Sequence, residues 1–519
     1  MSSVETMMDF KNEALTDFSQ PAERAAMEKA LADVRRQLGQ IYPLMIGGKA
    51  LKSKKTIRSI NPSRFSEVVG IVQDADRAQA DRALDAAVRA FETWSRIPQN
   101  ERAQSLRRMA QSLRRRKKEF CAWMIFEVGK SWAEADADVA EAIDFLDYYA
   151  EQSMQPVSGL TPVSLEKNDY AYLPLGPVVV IPPWNFPLAI LVGMTTAAVV
   201  TGNTVVLKPS SQSPIIAAKF MEVVAEAEVP PGVVNFLTGA GRSIGDLLVS
   251  DARTRMVAFT GSKSVGLHIN ELTGRPAKRQ KWIKRVIAEM GGKNAIIVDE
   301  SASIEDAAQG VMVSAFGYQG QKCSACSRAY IHESVYEPFV DRLLKKVQQI
   351  RVGPADLLDH FMGPVISADA YHSILNYIAC GRKHGRLLAG QAAGTDRTGY
   401  FIQPTVIDRL ARTCKVWSEE IFGPVLALGK IKSFEDGLRE ANSTDYGLTG
   451  AIYSQDPAHW EQARREFFCG NLYINRKCTG AMVGGHPFGG FNLSGTDSKA
   501  GGPDYLALFR QAKVVSQKL

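Results

Sequence analysis

Cys323 follows Gly-Gln-Lys in the stretch GYQGQKCSACSR, and Glu289 closes the apolar run VIA in IAEMGGKN. A thiolate can attack an electrophilic carbon, and a carboxylate at the end of a buried strand has a raised pKa suited to taking a proton from water. A thiol and a carboxylate, each set among glycines, point to covalent catalysis in which one group attacks and the other activates water. Lys322 is adjacent to the thiol, and a helix opened by SACSR would lower its pKa further. Local context alone leaves two plainer readings open. A cysteine is most often buried and inert, and Glu289 has Lys293 available as an ion-pair partner.

Cys326 makes CSAC a C-x-x-C match. A structural zinc site would need a second ligand pair, and none of the seven histidines forms an HxxxH or Cys/His cluster, so no metal is expected. A reversible Cys323–Cys326 disulfide is the remaining alternative.

Three strand-to-turn junctions could cradle a dinucleotide. TGAGRSIG follows a strand and opens a helix, although its spacing, with Gly239, Gly241 and Gly245, departs from the usual fingerprint. FTGSKSVG offers Gly261, Ser262 and Gly266 at a second junction, and KPS puts Lys208 at the end of a third strand.

Positioning these groups requires an α/β framework. Residues 22–40 read as an amphipathic helix before the short strand YPLMIGG, and 74–152 are helical by pattern with a break at Pro98. Strands then alternate with helices: GPVVVI, a helix over 188–200, TVVLKPS, IIAAKFMEVVAEAE, VVNFLTG and MVAFTG. A second alternating series begins near Asn294 with AIIVD and runs through SRAYIHE, a helix near 335–350, and LALGKIK. The expected fold is α/β, two successive open parallel-sheet lobes joined near 285–294. The segments are an N-terminal helical extension (1–40), a cofactor lobe (41–153 and 176–288) and a catalytic lobe (289–475). Residues 154–175 and 490–519 form a small bridging β-flap, whose strand-like tail is expected to pair with a neighbouring subunit.

Composition excludes several classes. The chain has 519 residues, 45% hydrophobic and 23% charged, with a net charge of +7. No apolar run approaches the roughly 18 residues needed to span a bilayer, and the N-terminus has no basic segment leading into an apolar one. Seven cysteines, an odd and scattered set, fit reduced thiols. The expectation is a cytoplasmic enzyme with no membrane association. The run Arg114-Arg115-Arg116-Lys117-Lys118 sits within a helical pattern and reads as a solvated helix face, with no nucleic-acid module beside it.

With PWNFP, EEIFGPV and PFGGFNLSG, the chain resembles the NAD(P)-dependent aldehyde dehydrogenase superfamily from about Tyr42 to its end. GQKCSACSR, TGAMVGGHPFGG and NLSGTDSKAGGPDYL narrow the likeness to enzymes that oxidise L-glutamate γ-semialdehyde in proline catabolism. The resemblance implies Cys323 as nucleophile, Glu289 as general base and Asn185 as oxyanion donor. It implies Glu420 and Phe422 at the nicotinamide ribose and ring, Lys208 at the adenosine ribose, and Ser262 with its glycines at the pyrophosphate, Gly241 and Gly245 lying on the other loop. Ser324, Gly480 and Ala481 are expected to hold the substrate carboxylate, Phe186 and Phe488 to flank its stem, and Lys322 to add attraction. Many NAD-preferring relatives carry a glutamate where this chain has Ser211, so NADP is expected to serve beside NAD. A homo-oligomer and a proline dehydrogenase partner are also implied. The competing readings are a broad semialdehyde or betaine-aldehyde dehydrogenase, and a non-catalytic protein that keeps the architecture.

Overall fold

The computed structural model describes residues 10–155, 160–390 and 398–519. The first nine residues of the expected extension, 156–159 of the bridging segment and 391–397 of the second lobe lie outside them.

Two seven-stranded sheets succeed one another along the chain, as the alternation implied. The first runs Arg285–Glu289, Met256–Thr260, Pro177–Ile181, Thr204–Leu207, Val234–Phe236, Leu44–Ile46 and Lys49–Leu51. Its first five strands pair in parallel, and its last two pairings are antiparallel. PVVVI and TVVL are almost wholly buried, because helices cover both faces of a parallel sheet. The second sheet runs Arg386–Ala389, Thr405–Asp408, Val425–Ile431, Cys326–His332, Asn294–Val298, Thr449–Tyr453 and Asn471–Ile474. All its pairings are parallel except the first. The short link from Glu289 to Asn294 thus carries the chain from the edge of one sheet to an inner strand of the other.

The helical stretch over 74–152 is four helices: Arg77–Trp94, Gln99–Arg115, Lys117–Val128 and Trp132–Gln152. Asp76 and Gln79 form a capping box at the first. Pro98 precedes the second, and Gly129, with φ of 65°, closes the third. The basic run lies on an exposed helix face and is held in ion pairs within the chain. Arg114 bonds Glu13 and Asp147, Arg116 bonds Glu119, Glu222 and Glu226, and Lys118 pairs with Glu23 at 2.9 Å.

The tail strand Arg510–Lys518 pairs antiparallel with Glu166–Pro174 of its own chain, making a two-stranded ribbon. No helix among the described residues is long and apolar enough to cross a membrane. Among them, no group of three or more His, Cys, Asp or Glu is placed to hold a metal ion.

Candidate active site

The helix Ile304–Phe316 runs into the turn GYQG, where Tyr318 and Gln319 adopt φ of 49° and 57°. Left-handed backbone at non-glycine residues costs about 1–3 kcal/mol each and survives only where neighbours over-determine it. Here they do. The Gln319 amide donates to the Gly129 and Pro364 carbonyls at 3.0 and 2.8 Å, and the Tyr318 hydroxyl donates to the Val128 carbonyl at 3.1 Å. The turn delivers Lys322, Cys323 and Ser324 to the wall of a cavity of about 680 Å³. Asn294, in the second sheet, fixes the loop by donating to the carbonyls of Cys323 at 2.7 Å and Ala325 at 2.9 Å.

Two expectations about this loop fail. SACSR does not open a helix, because Cys326–His332 is an inner strand paired with Asn294–Val298 and Val425–Ile431. The Cys323 thiol is also not acidified: burial, then the carboxylates of Glu420 and Glu289, push it up to about 12, opposed by the Ser324 N–H. Lys322 does not offset this, because its ammonium lies 2.7 Å from Glu134. Cys326 is buried and donates to the Arg328 carbonyl at 3.4 Å, with the Cys478 thiol as its sulfur neighbour.

Glu289 ends the edge strand of the first sheet and lines the same cavity. Its oxygens accept from the Ser498 hydroxyl at 2.6 Å, the Ser498 N–H at 3.3 Å and the Gly490 N–H at 3.2 Å. Desolvation outweighs these bonds and raises its pKa to about 7. Lys293 is not its partner. That buried ammonium senses Arg328 and Glu420, and burial lowers its pKa to about 7. Asn185, 4% exposed, donates its side-chain amide to the Gln321 carbonyl at 3.0 Å, two residues before the thiol.

The remaining substrate-side positions, Phe186, Gly480, Ala481 and Phe488, line the cavity with Cys323, Ser324, Lys322 and Glu289. Unforeseen in the sequence is Lys130, fully buried 3.0 Å from Asp138, with its ammonium 4.0 Å over the Phe186 ring. A buried charge pair fixes that ring because neither ion can leave without stranding the other. Glu141, also unforeseen, lines the cavity, and burial pushes its pKa up to about 8.

The dinucleotide candidates form a rim at the C-terminal ends of the first sheet's strands. Lys208 follows Thr204–Leu207, Gly241–Gly245 is a π-helical turn after Val234–Phe236, and Gly261 and Ser262 follow Met256–Thr260. A methyl on Gly245 would lie 3.9 Å from Lys208 Cε, and one on Gly266 would strike Met290, which also lines the cavity. Rim and cavity therefore meet at Met290. Ser211, just past Lys208, is exposed. Glu420 accepts the Gly292 N–H at 3.0 Å, and Phe422 meets Trp184 edge-on at 5.5 Å.

The residues fit a dinucleotide. Lys208 is 5% exposed, its ammonium has one contact (3.5 Å to the Pro209 carbonyl), and desolvation lowers its pKa to about 8. A ribose would supply the acceptors this buried cation needs.

Sequence reasoning missed Ser498 and Asn294 as supports, although both lie within quoted motifs. The chain is 51% identical over 512 residues to 1-pyrroline-5-carboxylate dehydrogenase of Bacillus mycoides, covering 98% of this chain and 99% of that one. The crystal structure of 1-pyrroline-5-carboxylate dehydrogenase from Thermus with bound NAD superposes with a TM-score of 0.97 at 48% identity, covering 99% and 100%. Proline utilization A from Bdellovibrio bacteriovorus, inactivated by N-propargylglycine, gives 0.96 at 43% identity, covering 98% of this chain and 53% of that one. The model of the aldehyde dehydrogenase family matches residues 50–515, which takes in the second sheet, the five parallel strands of the first, the thiol and the carboxylate, and the chain belongs to that family.

Proposed function

We propose that the chain oxidises L-glutamate γ-semialdehyde, the open form of 1-pyrroline-5-carboxylate, to L-glutamate in proline catabolism, with NAD and also NADP as acceptor. The observation that carries this reading is the joint presence of Cys323, Glu289, Ser324, Gly480 and Ala481 on one cavity wall. The relatives' names support the same substrate.

The Cys323 S–H bond breaks with its proton released to solvent, Sγ bonds to the aldehyde carbon, and the carbonyl π electrons move to oxygen, giving a tetrahedral thiohemiacetal oxyanion. Asn185, anchored at Gln321, presents an amide donor to that oxygen. Such a donor contributes about 3 kcal/mol to the transition state. An oxidised nicotinamide, which Glu420 and Phe422 would hold, would supply the hydride acceptor needed to take the thiohemiacetal to a thioester. Glu289 then takes a proton from water, whose oxygen bonds to the thioester carbon, and the Cys323 thiolate leaves. A carboxylate with a pKa of about 7 is matched to this task.

Lys208 and Glu420 are read as holding the two riboses, Phe422 as packing on the nicotinamide, and Ser262 with Gly241, Gly245, Gly261 and Gly266 as the pyrophosphate cradle. Ser324, with the backbone of Gly480 and Ala481, is read as a nest for the α-carboxylate, and Phe186 and Phe488 as walls for the stem. Lys322, paired with Glu134, contributes through that pair rather than as a free cation. The 166–174/510–518 ribbon exposes most of its side chains and has free edges, which suits a homo-oligomer contact. A proline dehydrogenase partner and a cytoplasmic location complete the reading.

The test is a steady-state comparison of pyrroline-5-carboxylate with succinate semialdehyde, betaine aldehyde and propanal, using both cofactors. A kcat/KM for pyrroline-5-carboxylate at least about tenfold above betaine aldehyde and propanal supports the reading, since one well-held carboxylate contributes more than that. An excess over succinate semialdehyde, which also carries a carboxylate, reports recognition of the α-ammonium. Preference for betaine aldehyde or succinate semialdehyde replaces it.

A further inference from the structure

Residues 10–19 belong to neither sheet, yet they reach the active-site cavity: Glu13 and Leu15 stand on its wall. The segment is tied down by side-chain and backbone bonds rather than by a strand or helix of its own. Asn12 is the central tie. Its side-chain amide nitrogen donates to Asp144 Oδ2 at 2.8 Å and to the Val483 carbonyl at 3.0 Å, using both of its hydrogens. The Glu13 N–H donates to the other Asp144 oxygen at 2.6 Å. The Thr16 N–H and hydroxyl donate to Asp136 at 2.8 and 2.6 Å. Phe10 packs edge-on against Tyr148 with ring centroids 5.2 Å apart and crowds Gly484, where a methyl would meet its ring at 3.1 Å.

Asp136, Asp144 and Tyr148 all stand on the helix Trp132–Gln152, whereas Val483 and Gly484 belong to the loop that carries Gly480 and Ala481. The loop has other ties: Arg476 donates to the Thr479 and Gly480 carbonyls, and the Gly484 N–H donates to the Gly501 carbonyl. Asn12 adds hydrogen bonds from one planar amide to both this loop and the helix, which also meet where Tyr148 packs against Gly484.

We propose that Phe10–Thr16 is a strap across the cavity mouth, and that Asn12 is a positioning residue that fixes the 479–485 loop for a substrate carboxylate. The proposal rests on the reading that this loop receives the α-carboxylate. A substrate without a carboxylate does not reach the loop, so the strap acts on specificity and leaves the thiol chemistry alone.

The experiment uses full-length Asn12→Ala and Asn12→Asp. Alanine removes both donors. Aspartate keeps the shape, but sets a carboxylate against Asp144. For glutamate γ-semialdehyde, KM should rise about tenfold in Asn12→Ala, the effect of losing two hydrogen bonds that order the loop, with kcat within about twofold. Asn12→Asp should be affected at least as strongly. The KM for NAD and the kcat/KM for propanal should stay within about twofold of the wild type, and amide hydrogen exchange in 479–485 should quicken. Unchanged KM for the semialdehyde, an equal loss on propanal, or unchanged exchange in the loop each overturns the proposal. The wild-type aldehyde panel judges the substrate reading separately. If that reading fails, loop exchange in Asn12→Ala still decides whether the strap holds the loop.

Discussion

The carboxylate of Glu420 lies directly over the α-carbon of Gly291, so close that a methyl group there would overlap its oxygens. The same carboxylate accepts the Gly292 N–H at 3.0 Å. The turn after Glu289 is thus shaped to receive a side chain from the EEIFGP loop. Gly291→Ala should push Glu420 out of place and raise the KM for NAD by about tenfold or more, the usual cost of a lost charge-assisted hydrogen bond. Steady-state titration of NAD at saturating aldehyde measures it. An unchanged KM would remove Glu420 from the cofactor site.

Glu289 should act after the first turnover. In Glu289→Gln, rapid mixing should show a burst of reduced cofactor equal to the enzyme concentration, followed by a steady rate lower by about 10²–10⁴. Loss of the burst would assign Glu289 an earlier role.

The pH profile follows from the same carboxylate. Burial raises Glu289 to about 7, so the carboxyl is protonated below that value and cannot take a proton from water. Deacylation should rise with pH through about 7 and level off above it. The inflection should be absent in Glu289→Gln, as single-turnover rates in a pH series would report.

The thiol should be protonated at neutral pH in the cofactor-free enzyme, because burial and two carboxylates push Cys323 up to about 12. Alkylation of Cys323 by iodoacetamide should therefore be slow at pH 7 and climb across the alkaline range, and NAD should accelerate it. Peptide mapping after timed exposure checks both trends. Rapid labelling at pH 7 without NAD would show a thiolate already present.

How far the site was legible depends on what each residue must do alone. Cys323 and Glu289 stood out because covalent chemistry admits few residue types and both stood among glycines, whereas Asn185 came only through the resemblance that PWNFP carries. The strand after Cys323 was misread because SACSR has small polar residues typical of a helix start, and pairing with strands on both sides overrides that local preference. The thiol's acidity was misjudged for a related reason. It depends on Glu420, Glu289 and burial, which meet only in the folded chain. Lys130, Glu141 and Asn12 sit in unremarkable helix or coil, where no local pattern separates a cavity wall from an ordinary surface. The two-sheet architecture was readable because buried parallel strands show as unbroken apolar runs.

Ser211 offers the cofactor test. It is exposed, three residues past Lys208, and on the proposed reading it faces the adenosine 2′-hydroxyl. Ser211→Glu should lower kcat/KM for NADP at least about tenfold by like-charge repulsion while sparing NAD. Parallel titrations decide it, and equal losses with both cofactors would place Ser211 away from the ribose.

The bond between Asn12 and Val483 joins positions 471 residues apart. On the ribosome, chains emerge N-terminus first, so Asn12 waits for nearly the whole polypeptide before its acceptor exists. Nascent chains and products of premature termination before Val483 therefore carry an opening segment with nothing to clasp. Assembly of the pocket mouth is in this sense a post-translational event, and a long-range closure of this kind belongs among the slow steps of maturation.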